Sequence, residues 1–479
     1  MVIFLFKKNV VSLQCSIKKQ VNNQKKKKGK NMSNLKEIFA AEENKKFTEN
    51  GDLAYKSTTN HLVDLLFMSE YYGKHLDEVT IGTSDKEKLF SMFMRDPRYG
   101  LGRRDLGRTL MKLSKCTCQE IATAGRYDDI WHICGLTPEA LDFLRGEIEK
   151  GNELAKKWMP RYSSRNLMVA RAIAKAWGMN KQQYGKFIKA KTVENTLSRH
   201  NYDDIVFEHV PSLAMIKYFN TFKRHDETSA RFEKYLESVQ KGEKKMNVST
   251  TNVYDIYKNR HKIDPDLFFS QLEKVQGNWL PIVDTSGSMQ DHNDSFGKAL
   301  AIGHYLGKTS TYMPNHVVSF SSRPQLIELG VTKPNESDRR YYYNPFSCED
   351  NGSQYIREIA SMYTGDCSNT NLGAVMDLLQ GLDKENVPEY LVVLSDMEFD
   401  GGSSMSKDRT MNYFKELGVN TKIIWWNFNS RSTTCPETDK YGNIFLSGYN
   451  PMLLKFLENG FNAEAFLDKL LQEYKKSIG

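Results

Sequence analysis

Two hydrophobic patterns divide the chain near residue 275. From about residue 59 to 276, apolar positions recur three and four residues apart in segments of roughly 10–20 residues, the periodicity of amphipathic helices. In the segment 85–94, for example, Leu89, Phe90 and Phe93 lie at helical spacing. Because no segment of this block alternates apolar and polar residues, we predict an all-α array of stacked helices, as in an α-solenoid.

Residues with known capping preferences mark several helix ends in this block. Thr137-Pro138 and Asp264-Pro265 each place an N-cap side chain before a proline at the first helical position. Gly242 follows the periodic run 230–240. We therefore predict helix starts at residues 138 and 265 and a helix end near residue 242.

After residue 276 the helical periodicity gives way to short, continuously apolar runs. Four of these runs are predicted to be buried strands, over residues 280–284, 316–320, 390–396 and 422–427. They alternate with predicted helices over residues 296–308, 372–382 and 411–417. Such alternation is typical of a parallel sheet with helices on both faces. The predicted fold is therefore multidomain, with a helical module over residues 32–275 and a doubly wound, Rossmann-like α/β domain over residues 276–479.

The net charge of +8 is unevenly distributed over three blocks. Residues 1–31 hold nine lysines and no acid, residues 32–275 carry +6, and residues 276–479 carry −7. The lysines of the first block run up to Met32, and lysine and glycine codons are purine-rich. We therefore expect translation to begin at Met32 and residues 1–31 to be an untranslated or disordered leader. The alternative is a basic arm that binds RNA or anionic lipid.

Composition excludes several classes of protein. The 479 residues are 39% hydrophobic and 26% charged, as in soluble globular proteins. No apolar run approaches the roughly 18 residues of a membrane span. Seven scattered cysteines are too few for a disulfide framework, which predicts a reducing, cytoplasmic location.

A long basic stretch in the helical block is the first candidate for nucleic-acid binding. No acidic residue occurs between Glu153 and Glu194, and five aromatic residues are interleaved with the cations. Phosphates need several fixed cations, and unpaired bases need flat side chains on which to stack. The alternative is a solvated helix face with its aromatics in the core. The candidate RNA-binding residues of this stretch are Lys156, Lys157, Arg161, Arg165, Arg171, Lys175 and Lys186.

Arg103 and Arg104 are a second candidate. They end a glycine-containing loop, residues 95–107, that leads into a helix, a shape suited to holding anions. The alternative is an inter-helix turn whose arginines pair with Asp96 and Asp105. The residues themselves leave both interpretations open.

Two cysteine-containing pairs could be metal ligands or simple core residues. Cys116 and Cys118, and likewise His132 and Cys134, are separated by one residue, whereas the usual zinc motifs have gaps of two or more. Both pairs lie in predicted helices, where residues two apart do not converge. We therefore favour buried thiols over a zinc site.

The sharpest motif follows the first predicted strand of the α/β domain. Asp284-x-Ser286-x-Ser288 places a carboxylate at a strand end and two hydroxyls on the next turn, and such hard oxygen ligands suit Mg²⁺. The pattern resembles the metal-ion-dependent adhesion site (MIDAS) of von Willebrand factor A (VWA) domains. That family also uses a threonine and a later aspartate, which Thr370 and Asp396 match. The resemblance implies bound Mg²⁺ or another divalent cation, with one coordination position open to an acidic residue of a protein partner.

A helical block followed by a VWA domain resembles the Ro-like family, in which a TROVE module precedes a VWA domain. The resemblance is carried by residues 94–108, with their Arg-Asp and Gly-x-Gly-Arg elements, and by Gly125-Arg-Tyr-Asp-Asp-Ile-Trp131. Residues 157–161, 209–215 and 222–226 are more similar still to an uncharacterised Ro-like family of bacteria, phages and plants. The resemblance implies a ring of HEAT-like repeats that binds small structured RNAs or single-stranded RNA ends.

These observations predict a non-enzymatic RNA-binding protein without membrane association. Its role would be that of a Ro-like RNA chaperone or quality-control factor in a ribonucleoprotein, with the VWA domain docking a partner or closing the ring. One alternative is a metal-dependent protein-interaction adaptor whose helical array is only a scaffold. A second is a metal-dependent nuclease, which would need a denser carboxylate cluster than Asp284 and Asp396.

Overall fold

The computed structural model describes residues 35–331, 352–363, 366, 368–438, 442–457 and 462–479. The described residues divide into two units after residue 46: the first comprises residues 35–46, and the second begins at residue 47. In the first unit the described residues include helix α1, Leu35–Glu43. The predicted basic leader, residues 1–31, lies outside the described residues. Two short strands follow α1, namely β1, Lys45–Phe47, and β2, Leu53–Tyr55.

Residues 61–271 form the helical region that the periodicity predicts. No helix in the described part of the chain is both long and apolar enough to cross a bilayer. The helices are α2 His61–Phe67, α3 Ser69–Tyr72, α4 Asp85–Arg95, α5 Arg104–Leu113, α6 Cys118–Ala124, α7 Tyr127–Ile133, α8 Pro138–Glu149, α9 Glu153–Trp158, α10 Leu167–Ala176, α11 Lys181–Phe187, α12 Val193–Ser198, α13 Ser212–Arg224, α14 Asp226–Gln240, α15 Val253–Asn259 and α16 Pro265–Gln271.

The predicted helix ends are confirmed. The Thr137 side chain accepts a hydrogen bond from the backbone N–H of Ala140 and starts α8 with Pro138 at its first position. Asp264 caps α16 in the same way, accepting from the N–H of Leu267. After α14, Gly242 has a φ of +73°, a left-handed conformation that glycine adopts without strain. Short polar side chains therefore fix where these helices begin, as the capping preferences require.

Beyond residue 276, the described residues form an α/β region around a sheet of six strands. Its strands are β3 Trp279–Asp284, β4 His316–Phe320, β5 Pro324–Glu328, β6 Tyr390–Ser395, β7 Lys422–Asn427 and β8 Ile444–Ser447. Its helices are α17 Ser295–Thr309, α18 Gln354–Ser361, α19 Leu372–Leu379, α20 Ser403–Glu416 and α21 Ala463–Ile478. The strand order is β5-β4-β3-β6-β7-β8, the doubly wound order in which the winding direction changes between β3 and β6.

The sheet is mixed, so the prediction of a purely parallel sheet is wrong at one edge. β5 pairs antiparallel with β4, because only residues 321–323 connect them and so short a turn cannot make a parallel crossover. Neither β5 nor β8 is predicted from the apolar runs. β5 is a largely exposed edge strand with polar Gln325 and Glu328, and β8 is only four residues long.

The pairing of β3 with β6 positions the end of each strand. The two strands run parallel in a register that sets Val283 beside Leu394. The next residues along the two strands, Asp284 and Ser395, therefore emerge at the same edge of the sheet. In doubly wound sheets this edge, at the change of winding direction, is the usual ligand-binding position.

Helix α17 packs closely on the sheet because glycine faces it. A Cβ atom on Gly303 would lie 2.5 Å from Cγ2 of Val283 and 3.5 Å from Cδ1 of Leu394. The absence of a side chain thus lets the helix approach the central strands β3 and β6. This contact fixes the helix that follows the Asp284–Ser288 turn.

The helical and α/β regions are held together by a buried carboxylate between two cations. Oε1 of Glu70, on α3, accepts hydrogen bonds from Nη1 of Arg103 at 2.7 Å and from Nζ of Lys298, on α17, at 3.3 Å. Arg103 also donates to the hydroxyl of Tyr449 at 2.9 Å. Burial opposes ionisation of Glu70, but the two cations outweigh it and lower its pKa. The cluster therefore stabilises the joint between the two regions.

The last helix returns to the helical region. The Tyr474 ring lies edge-on against Phe93 at 5.6 Å, and its hydroxyl donates to Oδ2 of Asp96 at 3.3 Å. Through this helix and the Glu70 cluster, both regions lie within one compact unit.

Replacing Glu70 tests this joint. Glu70→Ala leaves Arg103 and Lys298 buried without their shared counter-charge and should lower the free energy of unfolding by about 3–5 kcal/mol. Chemical denaturation of the full chain measures it. The matched control is Glu149→Ala, which breaks the exposed Arg145–Glu149 pair and should cost less than about 0.5 kcal/mol.

The same joint should weaken in acid. Because the folded-state pKa of Glu70 is lowered, its contribution is present above its unfolded pKa, about 4.3, and is lost as the pH falls through the folded value. The difference in stability between wild type and Glu70→Ala should shrink below that pH. If the difference in the free energy of unfolding between the two proteins does not change with pH, Glu70 is not the ionised centre of this joint.

Candidate metal centre and nucleic-acid interface

The turn after β3 brings Asp284, Ser286 and Ser288 together. Asp284 is fully buried, and its Oδ1 accepts a hydrogen bond from the backbone N–H of Ser286 at 2.9 Å. Its Oδ2 accepts one from the hydroxyl of Ser395, at the end of β6, at 2.5 Å. The hydroxyl oxygens of Ser286 and Ser288 lie 3.0 Å apart. Three of the five predicted metal ligands therefore form one cluster of oxygen atoms.

Asp396 follows β6 directly and is also buried. Its Oδ1 accepts a hydrogen bond from the N–H of Glu398 at 3.3 Å, but its Oδ2 is buried and has no hydrogen-bond partner among the described residues. Burial and the like charge of Asp396 raise the pKa of Asp284 to about 7. Burial likewise raises the pKa of Asp396. Two buried carboxylates, one with an unsatisfied oxygen, fit a site for a divalent cation.

Thr370, the remaining predicted ligand, is attached to this edge through its loop. Its backbone N–H donates to Oδ1 of Asp400 at 3.3 Å, and the N–H of Asp400 donates to its carbonyl at 3.0 Å. The next residue, Asn371, donates its N–H to the carbonyl of Ser321, after β4, at 3.0 Å. The loops after β4 and β6 thus hold Thr370 at the carboxyl edge of the sheet. Gly365 and Cys367, in the same predicted loop, lie outside the described residues.

Arg431 is a neighbour of the site that the sequence analysis does not identify. It lies in the loop after β7, where its Nη2 donates to the carbonyl of Ser288 at 2.9 Å and lies 3.6 Å from Oδ2 of Asp396. No local motif marks it, since it is distant from both partners along the chain.

The chemistry of the site is that of hydroxyls and two carboxylates. Within the described ranges, no group of three or more His, Cys, Asp or Glu side chains could hold a metal ion. Of the cysteines considered as zinc ligands, Cys118 and Cys134 place their sulfur atoms 4.0 Å apart, and Cys116 is a buried free thiol. Burial raises the pKa of Cys118 to about 12, which disfavours the thiolate that zinc needs.

A basic groove opens on the helical region. It is a cavity of ≈ 640 Å³ between the start of α5, helix α7 and the segment after α9. Its wall contains two acids, Asp105 and Asp128, against a larger number of cations. The groove is defined by the cations Arg104, Arg108, Arg126, Lys157, Arg161 and Arg165 and by the indoles of Trp131 and Trp158.

Two adjacent aspartates organise the floor of the groove. Asp129 is fully buried and pairs with Nη2 of Arg95 at 2.7 Å and with Nε of Arg108 at 2.5 Å. Asp128 accepts from Nη2 of Arg108 at 3.0 Å and from Nη2 of Arg126 at 2.9 Å. Three arginines, from the end of α4, the middle of α5 and the N-cap of α7, are therefore fixed by two carboxylates, and a net positive charge remains. Arg108 and Arg126 are residues that the sequence analysis misses.

The aromatic side chains of the groove lie beside these cations. The guanidinium of Arg126 lies 3.9 Å from the ring centroid of Trp158, and Nζ of Lys157 lies 5.7 Å from it. The indole N–H of Trp131 and Nε of Arg126 are buried and have no hydrogen-bond partner among the described residues. Such unsatisfied donors suit an acceptor supplied by a ligand.

The predicted RNA-binding cations occupy different environments. Arg104, Arg161 and Arg165 are exposed at the groove, and Arg161 and Arg165 make no ion pair with another described residue. Lys156 and Lys157 pair with Glu153 and Glu194, the two acids that bound the basic stretch. The remaining predicted cations are exposed but do not line the groove; they are Arg171, Lys175 and Lys186.

Arg103 requires a correction. The sequence predicts that it contacts RNA, but its guanidinium is buried, pairs with Glu70 and lies 5.0 Å from the ring centroid of Tyr449. The neighbouring glycine loop turns Arg103 inward and Arg104 outward. The alternative in which the loop arginines are ion-paired is correct for Arg103, although its partner is Glu70 rather than Asp96 or Asp105. It also holds for Arg98, which pairs with Asp96 at 3.2 Å, while the exposed Arg104 lies 3.6 Å from Oδ2 of Asp128.

Comparisons with known proteins identify families without an assigned function. A domain of unknown function, DUF2828, matches residues 161–283, and another, DUF7788, matches residues 278–477. An uncharacterised protein, L728, of Acanthamoeba polyphaga mimivirus is 23% identical over 527 aligned residues, which cover 90% of this chain and 88% of the viral protein.

Among solved structures, the Ro (RSR) protein of Deinococcus radiodurans is similar over 88% of this chain and 94% of its own. The identity is 10% and the TM-score is 0.38. That score is too low to assign a fold.

Asp129 should be the residue on which the groove depends most. Asp129→Asn keeps the shape of the side chain but removes the counter-charge of the buried Arg95 and one of the two carboxylates that hold the half-buried Arg108. We expect a loss of about 3–5 kcal/mol in the free energy of unfolding, measured by denaturation. Glu120→Gln, at an exposed helix cap, is the control and should change stability by less than about 1 kcal/mol. Similar losses in both variants would contradict a special role for Asp129.

Proposed function

We propose that this protein binds RNA through the basic groove and does so without catalysing a reaction. The observation that carries the proposal is the clustering of six cations around two indoles, with only two acids in the same wall. Phosphate binding requires fixed cations, and the Asp128–Asp129 network holds Arg108 and Arg126 in place before a ligand arrives. Exposed Arg161 and Arg165 add charge at the rim.

The aromatic content favours RNA with unpaired nucleotides over a simple anion. The half-buried indole of Trp158 offers flat apolar surface in the same cavity as the cations, and the buried Trp131 forms part of the wall. Proteins that recognise single-stranded RNA stack bases on aromatic rings and on guanidinium planes. The unsatisfied indole N–H of Trp131 and Nε of Arg126 could donate to phosphate or base oxygens.

A Ro-like mode of action is the finer form of the proposal. The segments that resemble the Ro-like family, residues 94–108 and 125–131, contribute the arginines and aspartates that meet at the floor of the groove. In this form the protein is a cytoplasmic RNA chaperone or quality-control factor whose HEAT-like ring takes small structured RNAs or single-stranded ends. The α/β region then closes the ring or docks a protein partner.

We further propose that the α/β region is a VWA domain carrying Mg²⁺ in a MIDAS. The ligands would be Asp284, Ser286, Ser288, Thr370 and Asp396, and the unsatisfied Oδ2 of Asp396 is the observation that supports this assignment. A bound cation would neutralise two buried carboxylates and present a coordination position to an acidic group of a partner. The remaining side chains position these ligands, chiefly Ser395 through its hydrogen bond to Asp284.

Charge reversal in the groove tests RNA binding. Arg104→Glu, Arg161→Glu and Arg165→Glu together should weaken binding of a short fluorescein-labelled single-stranded RNA by roughly tenfold or more. The salt dependence, as the slope of log affinity against log salt, should become shallower by about 0.7 for each phosphate that the variant no longer neutralises. Fluorescence anisotropy at several salt concentrations measures both quantities.

Two matched triple variants make this test specific. Lys234→Glu, Lys241→Glu and Lys245→Glu change the net charge equally at exposed positions outside the groove and should have little effect. A third triple of Glu substitutions asks whether the RNA interface extends beyond the groove; it changes Arg171, Lys175 and Lys186. Equal losses of affinity in the groove and the Lys234 triples would refute the groove as the interface.

The metal site should be separable from RNA binding. Asp396→Asn should abolish Mg²⁺ binding, measured by isothermal titration calorimetry on the full chain, while RNA affinity changes less than about twofold. Asp377→Asn, at an exposed acid of the same region, should leave both unchanged. Loss of RNA binding together with Mg²⁺ binding would mean that the metal site contacts RNA or holds the groove together. A metal-dependent protein partner without RNA binding would favour an adaptor.

A further inference from the structure

Arg431 reaches into the proposed metal site from outside it. Its side chain is 36% exposed, and Nη2 lies 3.6 Å from the unsatisfied Oδ2 of Asp396. At that distance the two groups form an ion pair. The same nitrogen donates a hydrogen bond to the carbonyl oxygen of Ser288 at 2.9 Å. In this geometry a guanidinium supplies positive charge at the atom that a divalent cation would otherwise coordinate.

A second acid, Glu49, holds the other side of the same guanidinium. Nη1 of Arg431 lies 3.4 Å from Oε2 of Glu49, whose side chain is 61% exposed. Arg431 therefore lies between the buried Asp396 and the exposed Glu49. Glu49 is the alternative partner that Arg431 can keep if it leaves Asp396.

Glu49 belongs to a short segment that is itself fixed at the edge of the site. We call residues 48–52 the strap. The Thr48 hydroxyl donates to the carbonyl of Phe399 at 2.8 Å, and the N–H of Glu49 donates to Oε2 of Glu398 at 2.8 Å. Asn50 Nδ2 donates to the carbonyl of Glu398 at 2.7 Å.

The strap also caps a helix. Asp52 accepts hydrogen bonds from the N–H and the hydroxyl of Ser404, at the start of α20, at 3.0 and 2.9 Å. The strap is therefore bound along the loop that begins with Asp396. Glu49 is consequently anchored by its backbone, while its carboxylate stays free to hold Arg431.

We propose that Arg431 is an internal competitor of the divalent cation, moving between Asp396 when the site lacks a cation and Glu49 when a cation is bound. The inference rests on the proposed metal site. Two buried carboxylates repel each other, so a guanidinium near Asp396 stabilises the cation-free form. A divalent cation at Asp284 and Asp396 replaces that charge and repels Arg431. The carboxylate of Glu49 then determines how much free energy Arg431 loses when it moves away from Asp396.

The proposal predicts opposite effects from two neighbouring substitutions. Arg431→Gln removes the competitor and should tighten Mg²⁺ binding by roughly fivefold or more. Glu49→Gln removes the alternative partner of Arg431, leaving it to Asp396, and should weaken Mg²⁺ binding several-fold. Titration calorimetry of the full chain with Mg²⁺ alone measures both. Arg409→Gln, an exposed arginine paired with Asp377 on the same region, is the control and should change nothing.

A second readout is independent of metal affinity. In EDTA, Arg431→Gln should lower the melting temperature, because Asp396 loses its neighbouring cation, and saturating Mg²⁺ should remove the difference from wild type. Mg²⁺ affinity that is unchanged or weaker in Arg431→Gln would overturn the proposal, as would Glu49→Gln binding more tightly than wild type.

The experiment also separates this inference from the metal site itself. If neither wild type nor Arg431→Gln binds Mg²⁺, the proposed metal site fails and the competitor with it. If wild type binds Mg²⁺ and the two substitutions do not shift its affinity, the metal site stands and only the role of Arg431 is refuted. Binding seen in Arg431→Gln but not in wild type would support both.

Discussion

The parallel pairing of β3 with β6 is the constraint on which the candidate metal site depends. Their register sets two strand ends side by side, so Asp284 and Asp396 emerge at one edge although they are far apart in the chain. The apolar strands and α17 bury both carboxylates. Buried like charges raise the pKa of Asp284 and leave one oxygen of Asp396 unsatisfied. The surrounding loops place the hydroxyls of Ser286 and Ser288 and the guanidinium of Arg431 beside these carboxylates.

At the candidate site of the helical region, positive charges outnumber negative charges. Here two buried or nearly buried aspartates are outnumbered by the arginines around them, and the surplus is positive and faces a cavity. The aspartates fix the directions of the guanidinium groups, because each accepts from more than one arginine. A rigid cationic surface beside two indoles is suited to polyanions with flat bases. The two regions thus present sites of opposite charge within one compact unit.

The joint between the two regions also depends on a buried acid surrounded by cations. Glu70 holds Arg103 of the helical region and Lys298 of α17, the helix that follows the Asp284–Ser288 turn. The joint thus connects the N-terminal end of α5 with the first turn of α17.

Local sequence was sufficient wherever a short-range interaction decides the structure. Capping side chains and prolines predict the starts of α8 and α16, and apolar runs predict four of the strands. The Asp-x-Ser-x-Ser pattern predicts that three oxygen-bearing side chains lie close together. The edge strand β5 was missed because a half-exposed strand has no continuous apolar run. The sequence also identifies the basic stretch between Glu153 and Glu194. It does not tell which cations of that stretch face the groove, because hydrophobic periodicity distinguishes the faces of a helix but not the elements against which each face packs.

The sequence by itself thus determined the two regions, most of their elements and the residue types of both candidate sites. Only the tertiary structure decided that Arg103 is an internal ion-pair partner, that Arg108 and Arg126 join the groove, and that Arg431 lies between Glu49 and Asp396. The physical reason is the separation along the chain over which each interaction acts. Caps, turns and apolar periodicity act over a few residues, whereas charged side chains find partners wherever packing brings opposite charges together, hundreds of residues apart in the chain.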